Sequence, residues 1–248
     1  MAHRVSEKTK IKQRRGTGHG ASYKPWIRVS EMPGHLGVHH NLVDWKHGRQ
    51  LQLLSDGELF QYLILRWDDN VVDIREQYPL DLEVTTDLFD QYAGFQHPSN
   101  KDGLLHMTSD MLVDYADGHQ KVYSVKYSRK DFEKKDKKTE NKLKKLWIEK
   151  KYWIGRGIEW EQVYRVEMNR AYADNISAVV YYWQPSTVTD RVSLFKFLVA
   201  HKQIKIDMES HPIDALEFHT LANEYITDEA ESALLSAVRA LPEHSPEE

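Results

Sequence analysis

An aspartate and a lysine on neighbouring strands can hold and polarise a phosphodiester, and the stretch Thr108–Lys126 carries such a pair. It reads Thr-Ser-Asp-Met-Leu-Val-Asp-Tyr, then Ala-Asp-Gly-His, then Gln-Lys-Val-Tyr-Ser-Val-Lys. Two runs rich in Val and Tyr around an Asp-Gly turn predict a β-hairpin. Asp110 stands near the start of its first strand, while Ser124 and Lys126, two apart, share a face of the second. Phosphodiester hydrolysis needs a nucleophilic water, an electrophile on the phosphoryl oxygens and help for the leaving oxygen. Carboxylates that hold Mg²⁺ beside a lysine supply all three. Asp110 is the expected ligand, and Lys126 the group that polarises the water or stabilises the pentavalent charge. A second carboxylate is required, and Glu58, on a predicted helix, is the candidate. Ser124 stands where many such sites carry Glu or Asp. A hydroxyl is a poor anionic ligand, so a water is expected in its place, with the backbone carbonyl of Val125 as a further contact.

These residues need elements to position them. Leu51–Trp67 has helical spacing, with Ser55 as N-cap and Glu58 three residues later, as in a capping box. Glu58 therefore has two readings, capping residue or metal ligand, and the two are expected to exclude each other. Val71–Leu80 reads as a strand that Pro79 helps to end, and 81–105 as a long connection. Arg129–Trp153 is strongly basic, with an apolar stripe from Leu143 onward that predicts an amphipathic helix. Its lysines Lys134, Lys138, Lys142 and Lys145 are expected to track DNA phosphates, as are Arg14 and Arg15 in a basic arm at the front. A strand over Trp160–Met168 would complete a strand-helix-strand pattern suited to a mixed α/β sheet. Beyond that point Ile176–Trp183 fits helix or strand. Val192–Ala200, Pro212–Tyr225 and Asp228–Leu241 fit short helices. The expected division is a flexible basic arm over 1–20, a catalytic domain over 21–167 and a mainly helical interaction domain over 168–248.

Composition bounds the chemistry. With 248 residues, 40% hydrophobic and 11% aromatic, the chain can bury a sizeable core. It has no cysteine, which excludes disulfides, thiolate metal sites and a cysteine nucleophile. The net charge of −4 hides an asymmetry, a basic front and an acidic tail. That pattern suits a polyanion partner at one end and a protein partner at the other. His35, His39, His40 and His47 are irregularly spaced among probable turns, which argues against a metal site there. No run is long and apolar enough for a signal peptide or a membrane helix, so a soluble protein of the bacterial cytoplasm is expected.

Several runs, in order, carry a family resemblance: Arg15-Gly-Thr-Gly-His-Gly20 with Tyr23 and Pro25-Trp26; Leu53-Leu-Ser-Asp-x-Glu58-Leu59; Asp73-Ile-Arg-Glu-Gln-Tyr-Pro-Leu80; Ser109-Asp110 with Leu112-Val-Asp114; Val125-Lys126; and Glu149-Lys-Lys-Tyr-Trp153. Over roughly residues 10–165 the chain resembles the TnsA family, endonuclease subunits of heteromeric cut-and-paste transposases. The resemblance implies a restriction-endonuclease-like domain followed by a winged-helix-like one. It implies catalytic residues at Glu58, Asp110 and Lys126, with Mg²⁺ (two ions, replaceable by Mn²⁺) on the carboxylates, and it favours the ligand reading of Glu58. Ser124 stands where the family has glutamine, and Glu149 matches a helix glutamate beside the site. The implied activity is cleavage at the 5′ ends of a transposon. The implied partners are transposon-end DNA, a DDE-type transposase subunit (TnsB) that cuts and joins the 3′ ends, and an AAA+ regulator (TnsC) that engages the C-terminal part. A DNA-binding module with a degenerate nuclease fold and a free-standing restriction-like or repair nuclease are the competing expectations.

Overall fold

The computed structural model describes residues 5–31, 42–91 and 96–243. His35, His39 and His40 lie outside them. The chain falls into two units, one from the residues up to 42 and from 50–168, the other from 43–49 and from 169–243.

The first unit is built on a four-stranded sheet with β1 over Val71–Pro79, β2 over Thr108–Tyr115, β3 over Gln120–Lys126 and β4 over Glu159–Tyr164. The strands lie side by side in that order; β1–β2 and β2–β3 are antiparallel, and β3–β4 is parallel. The sheet is therefore mixed, and the parallel step is bridged by a helix, since a tight turn cannot join parallel strands. The hairpin forms as predicted: Gly118, at φ 86°, closes the turn through its N–H to the Tyr115 carbonyl at 2.9 Å, and Met111 faces Tyr123. Glycine suits that left-handed position because it has no Cβ to clash.

Helices flank the sheet: α1 over Glu7–Lys12, α2 over Asp56–Trp67, α3 over Leu82–Gln91 and α4 over Lys137–Ile154. Helix α2 starts at Asp56, later than its hydrophobic spacing suggested, because the Ser55 hydroxyl accepts from the Glu58 N–H at 3.2 Å and caps it there. Helix α3 occupies a stretch expected to be a connection, its buried Thr85 and Phe89 on one face. Leu80, Leu112 and Val122 pack with Tyr152 and Trp153 of α4 in a buried cluster, which Val84 and Leu88 of α3 complete. Asp110 precedes Leu112 by two residues and Ser124 follows Val122 by two, so both continue the row that faces α4.

Residues 5–31 form α1 and a set of specific contacts, where a flexible arm is expected from the charge of 1–20. Ser6 caps α1, and Glu7 receives the His106 N–H at 3.0 Å and the His106 Nδ1 at 2.7 Å. The Glu7 carboxyl is held down to about 2: burial opposes its charge, but the hydrogen bonds from His106 and the Lys10 ammonium outweigh that cost.

The second unit is helical: α5 over Arg170–Val180, α6 over Arg191–Ala200, α7 over Ala215–Tyr225 and α8 over Asp228–Arg239. The stretch from Ile176, compatible with either structure in the sequence, is helix. Buried Asn175 donates to the Met208 and His211 carbonyls and accepts from the Ile213 N–H, clamping the loop before α7. Arg191 binds Asn223, Asp228 and Glu231, tying the start of α6 to α7 and α8. No strand pair that would form a wing occurs among its described residues.

Candidate active site

Asp110, Lys126, Glu58 and Glu149 line one cavity of about 1010 Å³ in the first unit. Each arrives from a different element. Asp110 sits on β2, and its Oδ2 accepts from the Val125 N–H of the adjacent strand at 2.6 Å and from the Lys126 Nζ at 2.9 Å. Lys126 also donates to the Val125 carbonyl at 2.8 Å. Glu58 enters from the first turn of α2 and Glu149 from the buried side of α4.

Glu58 combines the two roles that its spacing set against each other. Its Oε1 accepts from the Ser55 hydroxyl at 3.1 Å and its Oε2 from the Leu54 N–H at 3.0 Å, so it does hold the start of α2. The same side chain is buried, faces the cavity and feels the charge of Asp110. The bond back to 54–55 orients the carboxylate instead of withdrawing it.

Ser124 is buried, and its hydroxyl donates to Glu149 Oε2 at 3.3 Å. The carboxylate that the hairpin lacks at this position is thus found next to it, delivered by α4. The apolar stripe from Leu143 predicted the helix; that its glutamate points to Ser124 follows only from how α4 packs.

The electrostatics of the cluster are unbalanced. Burial, and then the charge of Asp110, push the Glu58 carboxyl well above the usual carboxylate range, and the same two causes push Glu149 up. Burial opposes the charge of Lys126, yet Asp110 and Glu149 beside it raise its pKa. Lys126 is therefore an ammonium at neutral pH, suited to stabilising negative charge and unsuited to taking a proton from water. Three carboxylates face one lysine, and Glu149 Oε1 is buried without a well-aligned hydrogen-bond donor. Hard oxygen donors around an uncompensated negative site fit a divalent cation.

A second acidic group, His19, Asp73 and Asp114, places its potential ligand atoms within 4.8 Å of one another. None of the three lines the cavity. Arg75 already sits on it, 2.7 and 2.8 Å from the two oxygens of Asp114, so a cation is present in the form of a guanidinium. His47 belongs to the second unit, buried beside Asp44 at 3.3 Å.

The basic residues divide. Lys134, Lys138, Lys142 and Lys145 are exposed, and the last two reach the cavity rim. Arg14 is exposed as well. Arg15, expected on DNA, is buried instead: its guanidinium meets both oxygens of Glu31, at 2.9 and 2.5 Å, and the Trp26 carbonyl at 3.1 Å. Arg15→Ala is expected to lower the unfolding free energy by about 2 kcal/mol, because it strands a partly buried carboxylate. Equal midpoints for the two proteins in urea would show that the pair carries no such weight.

Three residues at the site escaped sequence reading. Lys10 of α1 lines the cavity, bound to Glu7 and stacked over Trp26. Arg165 lines it from beyond β4. Gln77 is the third: buried in β1 with a left-handed φ of 50°, it donates from Nε2 to Glu58 Oε2 at 3.0 Å. The unusual backbone angle for a side chain with a Cβ was the structural signal, and sequence spacing carries no trace of it. Gln77→Ala is expected to cost about 10- to 100-fold in metal affinity or cutting, as removal of a group that orients a ligand does. Gln77→Gly relieves the backbone angle without restoring the amide, so it should regain stability and not activity. Recovery of both in the glycine variant would assign the effect to the backbone.

The model of the TnsA-like endonuclease N-terminal family matches residues 68–164, a span that contains Asp110, Lys126 and Glu149 and leaves Glu58 outside. The transposon Tn7 transposition protein TnsA of Escherichia coli is 36% identical over 184 residues, 74% of this chain and 63% of that protein. The chain thus spans less than two thirds of the length of this relative.

Proposed function

Because this chain is a TnsA-like protein, we propose that it is the DNA endonuclease subunit of a transposase, hydrolysing phosphodiester bonds at the 5′ ends of a transposon during cut-and-paste excision. The observation that carries the reading is the Lys126 ammonium on Asp110, inside a cavity that Glu58 and Glu149 also line.

Glu58, Asp110 and Glu149, with the Val125 carbonyl, would hold Mg²⁺. When bound, the cation polarises the phosphoryl oxygens and lowers the pKa of an attacking water. The protein's own groups do the rest. Gln77 and the N–H of Leu54 fix the Glu58 carboxylate, and the Val125 N–H fixes that of Asp110. Ser124 steers Glu149 and need not be a ligand itself. The water oxygen forms a bond to phosphorus, the bond from phosphorus to the leaving oxygen breaks, and the water's proton passes to solvent or to a carboxylate. Lys126, already charged, neutralises the extra negative charge on the phosphoryl oxygens as that exchange occurs.

The exposed lysines of α4 give the DNA backbone a surface leading to the cavity. The helical second unit is the candidate docking site for the AAA+ regulator, and a DDE-type transposase the partner that processes the 3′ ends. No described helix is long and apolar enough to cross a membrane.

Donor DNA carrying the transposon ends, incubated with this chain, its transposase partner and Mg²⁺, should be cut at the 5′ ends when breaks are mapped. Cutting only at the 3′ ends would sink the proposal and favour a DNA-binding module with a degenerate nuclease fold, the reading for which Ser124 argues. Cutting by the purified chain alone would favour a free-standing nuclease.

A further inference from the structure

We propose that Arg165 is a phosphate-binding residue that grips the DNA backbone beside the scissile bond. The inference rests on the nuclease reading and adds a contact on the far side of the cavity from α4. Arg165 follows β4 directly, in a short 3-10 turn over Arg165–Glu167, and lines the cavity together with Glu58, Asp110, Lys126 and the exposed ring of Tyr127.

Its surroundings hold the side chain in place and leave its charge poorly matched. The guanidinium lies over the Phe60 ring at 5.2 Å and the Tyr127 ring at 5.7 Å, which fixes its plane. Its carbon stem lies against the first turn of α2, where Gly57 makes room: a Cβ there would stand 3.2 Å from the Arg165 Cβ and 3.0 Å from Val125 Cγ1. The ion partner is Asp56, whose carboxylate stays 3.5 Å from an Nη, and the Nε is buried with no acceptor among the described residues. Lys10 and Lys126, the other cations deep in the cavity, each hold a carboxylate at 3.0 Å or less.

The start of a helix carries partial positive charge, so a cation beside the first turn of α2 is opposed by the helix dipole. A bound phosphate is attracted by both the helix start and the guanidinium, and offers oxygens in the geometry a guanidinium fork matches. Lys126 faces the same space, so a strand whose scissile phosphate meets Lys126 would bring a neighbouring phosphate to Arg165.

The test uses the full chain and a short duplex of transposon-end sequence, with Ca²⁺ as the divalent ion, read by fluorescence anisotropy across a salt series. Arg165→Ala is expected to weaken binding about tenfold and to reduce the slope of log affinity against log salt by about one. Arg165→Lys should keep the slope. Duplexes with one neutral methylphosphonate at each position in turn should reveal a single phosphate whose replacement weakens the wild type and leaves Arg165→Ala unaffected. Arg165→Gln, which keeps the packing of the stem, guards against loss of fold in the alanine variant, and melting curves report the fold. Unchanged affinity and slope in a folded Arg165→Gln would overturn the proposal, as would a wild-type chain whose binding shows no salt dependence. Binding that depends on Arg165 in a protein that never cuts would instead refute the nuclease function and spare the contact.

Discussion

Asp110→Ala and Lys126→Ala are each expected to reduce 5′-end cutting by about three orders of magnitude or more, with DNA binding retained. Asp110 Oδ2 is the meeting point of the site: the Val125 N–H and the Lys126 ammonium both converge on it. Removing it takes away a proposed metal ligand and leaves Lys126 partly buried without its main counter-charge, so two contributions fall together. The several kcal/mol that a cation and a preorganised charge contribute to a transition state convert to that loss in rate. Lys126→Ala removes only the positive charge, and exogenous ammonium-bearing amines in the vacated space should restore part of the rate. Because the protein raises the pKa of Lys126, its positive charge, and the rate that charge supports, should not be lost as pH rises through neutrality. A cut product from Asp110→Ala at wild-type rate, in a protein melting at the wild-type temperature, would end the assignment.

The second large effect concerns the coupling of cation, proton and stability. Glu58 and Glu149 have pKa values raised in the folded chain above the ordinary range near 4.3 that an unfolded glutamate shows. Such groups contribute stability below the unfolded value and lose it as pH rises through the folded one. In chelator, the chain should therefore melt lower at about pH 8 than at about pH 6, since burying two ionised carboxylates near Asp110 is unfavourable. Ca²⁺ or Mg²⁺ should reverse the trend: the ion binds the ionised form, so its stabilisation is larger at the higher pH. At a hundredfold excess over the dissociation constant it amounts to about 2.7 kcal/mol. Glu149→Gln removes a buried charge, so without metal it should raise the melting temperature at about pH 8 and lose most of the shift that the ion gives. An equal Ca²⁺ shift in wild type and Glu149→Gln would show that α4 supplies no ligand.

Much of this protein was determined by its sequence alone. The Asp-Gly turn between two Val- and Tyr-rich runs sets the hairpin, and Ser55 sets the start of α2, because both are local choices of the backbone. Alternation then puts Ser124 and Lys126 on one face, and the register of the hairpin adds Asp110 to it. The mixed sheet, helices α2 and α4 and the helical character of the second unit followed from periodicity in the same way, whereas α1 and α3 did not. Tertiary structure decided the rest. That Glu58 both caps α2 and faces the cavity involves Gln77, nineteen residues on in β1 and bent by a left-handed angle that no spacing encodes. Glu149 meets Ser124 only because α4 packs Tyr152 and Trp153 onto Leu112 and Val122. Charge at a chain's front is usually solvated, which suggests a DNA contact for Arg15; its partner, Glu31, lies sixteen residues away, and only folding brings the two together. Local order follows from short-range preferences of the chain, whereas a site made from two helices and a hairpin is a property of long-range packing, which composition and period leave open.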